Sequence, residues 1–201
     1  MKIYVISAIV IVIWVAGAFW VSVSKIDPLE RANSEFAKGN LVEAKELFKK
    51  ACNKGSMAAC RTLGTIENER GNIVDAKQLL TMSCNGGDMQ GCTGLAVLEE
   101  TSGNEAEARK LYQKSCNSGD VLGCTNFGVL EEKNGNLDEA MKFYKKACEG
   151  SEIQGCSNQG IIEYKKGNPV ESKRLFDKAC IGGNKDACNL LQEVIKSGHG
   201  K

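Results

Sequence analysis

Apolar positions fall into two regimes along the chain. From Ile3 to Val23 they run for 21 residues without a charge, broken only by Ser7 and Ser22, long enough to cross about 30 Å of hydrocarbon as a helix. From Asp27 onward they recur at helical spacing instead. Ala44-Leu47-Phe48-Ala51 is an i, i+3, i+4, i+7 stripe, and it returns as Ala76-Leu79-Leu80-Ser83, Ala108-Leu111-Tyr112-Ser115, Ala140-Phe143-Tyr144-Ala147 and Ser172-Leu175-Phe176-Ala179. A second set, Leu63/Ile66, Leu95/Leu98 and Phe127/Leu130, lies between these stripes. Gly64, Ala96, Gly128 or Gly160 sits alongside, small enough to admit a neighbouring helix. Every series steps by 32 residues. A single stripe cannot bury itself, whereas stacked helix hairpins share a continuous core.

Turn signals keep the same period. Gly-Asn recurs at Gly39, Gly71, Gly103, Gly135 and Gly167; the glycine supplies a left-handed stop, and the asparagine is expected to cap the next helix. An acid follows three residues later each time, as in Asn40/Glu43 and Asn72/Asp75. Asp27-Pro28-Leu29-Glu30 reads as the first helix start, with Asp as cap and Pro at the first helical position. The reading is all-α, a right-handed α/α superhelix. Its repeat region spans 27–201, with units at about 27–55, 56–87, 88–119, 120–151 and 152–183 and a cap helix at 184–197, where Gln192, Glu193 and Lys196 give polar cover.

All ten cysteines fall on the same lattice, as Cys-x7-Cys pairs. Pairing within a hairpin, Cys60 with Cys84 and onward, strands Cys52 and Cys188, whereas pairing across the seven-residue gap uses all ten. Pro28 stands where the first unit would carry its opening cysteine, and that unit has no preceding helix to be joined to. Five disulfides are therefore expected: Cys52–Cys60, Cys84–Cys92, Cys116–Cys124, Cys148–Cys156 and Cys180–Cys188. Zinc needs thiols closer together or backed by histidine, and the one histidine, His199, sits in the Ser-Gly-His-Gly-Lys tail. No metal and no cofactor is assigned.

Composition changes little in this picture, at 42% apolar and 25% charged. The net charge of +1, from 26 basic and 25 acidic residues, leaves no field to hold a polyanion, which argues against nucleic acid. The N-terminus places the chain. Residues 1–24 read as a signal peptide, with Ala16-Gly17-Ala18 as the better cleavage site, or as an uncleaved anchor with Lys2 in the cytoplasm. Either way the rest is exported, to the periplasmic side of the inner membrane if anchored, and to the periplasm or beyond if cleaved. Thiols delivered there are oxidised. Membrane contact is expected only through this segment, and the repeat region is expected to be a monomer.

The stretch Gly123-Cys124-Thr125-Asn126-Phe127-Gly128, followed by Asp138-Glu139-Ala140-Met141-Lys142-Phe143-Tyr144-Lys145-Lys146-Ala147-Cys148, resembles the Sel1-like repeat proteins, and among them the Helicobacter cysteine-rich group. The resemblance covers about Asp27 to Ser197. Its one departure is the Gly-Asn turn, as short as that of a tetratricopeptide repeat. It implies an α-solenoid scaffold that binds a protein or peptide.

The cysteine-rich group is also labelled with penicillin binding and β-lactamase activity. Here the only Ser-x-x-Lys is Ser22 to Lys25 at the edge of the export segment, Lys196-Ser197-Gly198 lies in the tail, and Ser-Asp-Asn is absent. No catalytic residue is assigned.

Alignment with tetratricopeptide repeats puts a concave binding wall at Arg61, Thr62, Thr65 and Asn68, then Thr93, Val97 and Glu100, then Thr125, Asn126, Val129 and Glu132, then Ser157, Asn158, Ile161 and Tyr164. Asn126, Asn158 and Tyr164 are expected at its centre. Charge spacing further places Glu67, Glu99 and Glu163 across their hairpins from Lys77, Arg109 and Lys173, with Met141 facing Glu131.

Overall fold

The computed structural model describes residues 27–197. The N-terminal apolar run, read above as a signal peptide or anchor, the Ser22/Lys25 pair and His199 lie outside them. Among the described residues the chain forms eleven α-helices and no strand. The first helices of successive hairpins are α1 (Pro28–Ala37), α3 (Met57–Glu69), α5 (Met89–Thr101), α7 (Val121–Lys133) and α9 (Ile153–Lys165). Their second helices are α2 (Leu41–Asn53), α4 (Ile73–Asn85), α6 (Glu105–Asn117), α8 (Leu137–Glu149) and α10 (Pro169–Ile181), and α11 (Lys185–Lys196) closes the stack. No helix among the described residues is long and apolar enough to cross a membrane.

Each hairpin turn is a helix stop followed at once by a restart. At the first, Gly39 takes φ 82°, its N–H donates to the Phe36 carbonyl and the Asn40 N–H to the Glu35 carbonyl, so the last turn closes on itself. The same bonds recur where one unit passes to the next, with Gly55, Gly87, Gly119 and Gly183 in the left-handed region. At the fourth passage that conformation falls to Ser151, φ 67°, which a side chain makes costly.

The two kinds of helix start differ. Ser56, Asp88, Asp120, Glu152 and Asn184 cap first helices by accepting backbone N–H groups with their side chains. Asn40, Asn72, Asn104, Asn136 and Asn168 stand at the cap position of second helices but make no side-chain cap. Each instead donates its amide backwards to the acid five residues earlier: Glu35, Glu67, Glu99, Glu131 and Glu163. The charge-assisted bond from Nδ2 to the carboxylate fixes the side chain facing backwards, and Oδ1 makes no cap bond.

The stripes form the core. Ala44, Phe48, Ala76, Leu80, Ala108, Tyr112, Ala140, Tyr144, Leu175 and Phe176 are all at most 2% exposed. Small residues set the closeness. A methyl group added at Gly128 would sit 2.6 Å from the Tyr144 ring, and one at Gly123 would strike the Ser115 hydroxyl. Five disulfides join the end of each second helix to the start of the next first helix, Cys52–Cys60 through Cys180–Cys188, with Cα atoms 4.4–4.7 Å apart. Each closes a short loop, a constraint of about 2–3 kcal/mol in the chain-entropy account.

First helices of successive units also pack on one another, α3 on α5, α5 on α7 and α7 on α9. Second helices stay further apart and leave open grooves between α2 and α4 and between α4 and α6. Closer spacing on one side bends the stack toward that side, so the first helices line the inner wall.

Candidate functional site

In α5, α7 and α9 the residue directly after the second cysteine does not reach the wall. Thr93, Thr125 and Ser157 are 2–3% exposed, and the two threonines turn toward the cap of the following unit. The Thr93 hydroxyl donates to Asp120 Oδ2 at 2.5 Å and that of Thr125 to Glu152 Oε2 at 2.6 Å. Arg61, in the same place, gives its Nε to Asp88 Oδ2 at 2.9 Å. Such a cap acid binds its own helix and the first helix of the unit before. Thr125 and Ser157 are therefore corrected as peptide contacts: hydroxyls buried between units cannot meet a ligand backbone. Arg61 is committed to a contact between units.

One turn further on, the side chains do face the inner groove. Val97 and Val129 are exposed and Ile161 partly so, at one position in three consecutive units. Asn126 and Asn158 flank this ridge, half-buried, and Asn158 accepts from Gln154 Nε2 at 2.8 Å. Tyr164 is 45% exposed at the end of the row.

Two carboxylates on the wall are held from behind. Tyr112, 1% exposed, donates its hydroxyl to Glu100 at 3.0 Å, and fully buried Tyr144 donates to Glu132 at 2.8 Å. Burial first, then the neighbouring carboxylate, pushes both phenols above their ordinary range, so they remain donors. Lys133 and Lys165 approach the same carboxylates at 3.8 and 3.7 Å, exposed pairs that add little. The sequence reading placed Glu100 and Glu132 on the wall but missed their anchors. A signal existed: residues twelve apart vary together, with Glu100/Tyr112 and Glu132/Tyr144 against Asn68/Leu80, Tyr164/Phe176 and Phe36/Phe48.

Arg31 and Glu43 pair across the first hairpin at 2.7 Å, but the acids five residues before the next three turn asparagines pair between units. Lys45 Nζ meets Glu67 at 2.6 Å, Lys77 meets Glu99 at 2.6 Å, and Arg109 meets Glu131. The expected partners of Glu67 and Glu99, Lys77 and Arg109, are thus displaced by one unit. The cause is the disposition of the helices: each first helix lies against the second helix of the preceding unit, and its acid faces that groove. Met141 holds the corresponding place opposite Glu163, so the series breaks there and not at Glu131.

A Sel1 repeat model matches residues 33–56, 92–120 and 156–184, and a tetratricopeptide repeat model matches 123–149. The chain carries Sel1 and tetratricopeptide repeats. The two models interleave along one uniform lattice, as a compact unit with a short turn requires. No curated protein matches the chain. Solved structures do. A Sel1 repeat protein from Oxalobacter formigenes superposes with TM-score 0.70 at 17% identity, over 87% of this chain and 84% of that one. MamA matches at 0.55 and 19%, over 78% and 96%. YrrB, a tetratricopeptide protein described as having an unusual peptide-binding site, matches at 0.52 and 20%, over 84% and 91%. At these identities the likeness of this chain to them is one of fold.

Proposed function

We propose that this repeat protein binds a protein or peptide ligand along the inner wall, outside the cytoplasm. The observation that carries the reading is the exposed ridge of Val97, Val129 and Ile161 beside Asn126 and Asn158. An extended backbone needs both donors and acceptors, which the amides supply, while the ridge takes its apolar side chains. Tyr164 is the aromatic anchor at the end. Fold-level likeness to YrrB is consistent with such use of the groove. Export is supported by the 21-residue apolar run at the N-terminus and by ten cysteines all placed to pair.

The test begins with crosslinking in the native envelope to capture a partner. Asn126→Ala and Asn158→Ala together are then expected to weaken its binding about tenfold or more, with an unaltered melting curve. Unchanged affinity would move the site to the outer face or the loops.

A further inference from the structure

Lysines at one repeat position tie each second helix to the one before. Lys146 Nζ donates to the Cys116 carbonyl at 2.8 Å and Lys178 Nζ to the Cys148 carbonyl at 2.7 Å. These carbonyls lie in the last turn of a helix, where a cation is favoured. Lys114, at the same position in α6, reaches Cys84 Sγ at 3.5 Å. In α4 the position is Met82. Its sulfur lies 3.9 Å from Cys52 Sγ and 3.7 Å from Cys60 Sγ, over both atoms of the first disulfide. The junction between the first two hairpins therefore lacks the lysine contact made at the next three, and it relies at this point on soft apolar packing. Met82 is also 50% exposed, whereas Met57, Met89 and Met141 are less so.

We propose that Met82 is a modification site at which a peroxide loosens the first hairpin from the rest of the solenoid. The thioether sulfur attacks one peroxide oxygen and the O–O bond breaks. A sulfur–oxygen bond forms and hydrogen peroxide leaves as water, the sulfur losing two electrons. A sulfoxide is strongly polar. Its oxygen is best hydrated when turned away from the two disulfide sulfurs and from Leu63 and Leu79, which share the groove. The side chain turns outward and uncovers the groove between α2 and α4. At the other three junctions lysine stands in its place.

Purified protein is treated with hydrogen peroxide, sulfoxide is followed at each methionine by peptide mass spectrometry, and amide exchange is read helix by helix. Met82 is expected to oxidise several-fold faster than Met57, Met89 and Met141. Exchange in α1 and α2 then rises about tenfold while that in α7 to α10 is unchanged. Met82→Leu keeps apolar cover and should abolish the response, and Met82→Lys installs the residue used by the next three units and should do the same. Equal oxidation rates would overturn the proposal. So would a sulfoxide at Met82 with α1 and α2 still protected, the result if the oxygen instead accepts from Lys49 across the groove. A response that persists in Met82→Leu would also overturn it.

Discussion

Ser172 occupies a place that alanine fills in four other units, Ala44, Ala76, Ala108 and Ala140, and all five are fully buried. Its hydroxyl has no hydrogen-bonding partner among the described residues. Two other stripe serines do: Ser83 donates to the Met57 carbonyl and Ser115 to the Tyr112 carbonyl, each at 3.0 Å. A buried hydroxyl left unpaired costs about 1–3 kcal/mol. Ser172→Ala is therefore expected to raise stability by about 1 kcal/mol, read as a shift of the denaturation midpoint at constant slope. At this scale the sequence was only partly legible. Comparing units showed which residue types alternate, but not that Thr125 and Ser157 turn inward, because a helix position next to the wall and one between units differ by a rotation of one residue.

Between elements, the recurring motif is an acid held from two sides. Glu67 takes Lys45 from the preceding second helix and Asn72 from its own turn, and Glu99 takes Lys77 and Asn104. The lysine bond first, and the asparagine bond with it, hold both carboxyls below the usual carboxylate range against the opposing effect of burial. Folded values below unfolded ones mean that these acids stabilise the fold above about pH 4.5, and that the contribution is lost as pH falls through the folded values. The double variant Glu67→Gln/Glu99→Gln should melt lower at pH 7 and lose less on acidification. Melting temperatures taken from pH 7 to pH 2 check this; a parallel acid slope would count against it. Glu99→Ala alone is expected to cost about 1.5–3 kcal/mol at neutral pH. The Gly-Asn turn was plain in the sequence, yet its asparagine serves the helix it leaves. Cap preference and a waiting carboxylate predict the same residue, and only packing decides between them.

The whole molecule was the most legible level, because a period of 32 constrains every unit at once. Hairpin order, the short turn and the bridges between units follow from repetition and from counting cysteines. What repetition cannot supply is the direction in which each hairpin leans on the next, and that misplaced the ion pairs. The bridges also fix how the molecule behaves as a spring. Each shorts out the chain between two units, so tension applied at the ends passes through sulfur and skips the residues between a Cys pair. Only the stretch from one bridge to the next can be drawn out, such as Cys60 to Cys84, about 80 Å at roughly 3.3–3.6 Å per residue. Pulled in an optical trap, the oxidised protein should give steps no longer than this, lengthening to about 110 Å per 32-residue unit once reductant is added. A hairpin can yield to load without the junctions on either side coming apart, and the stack keeps its order while it stretches.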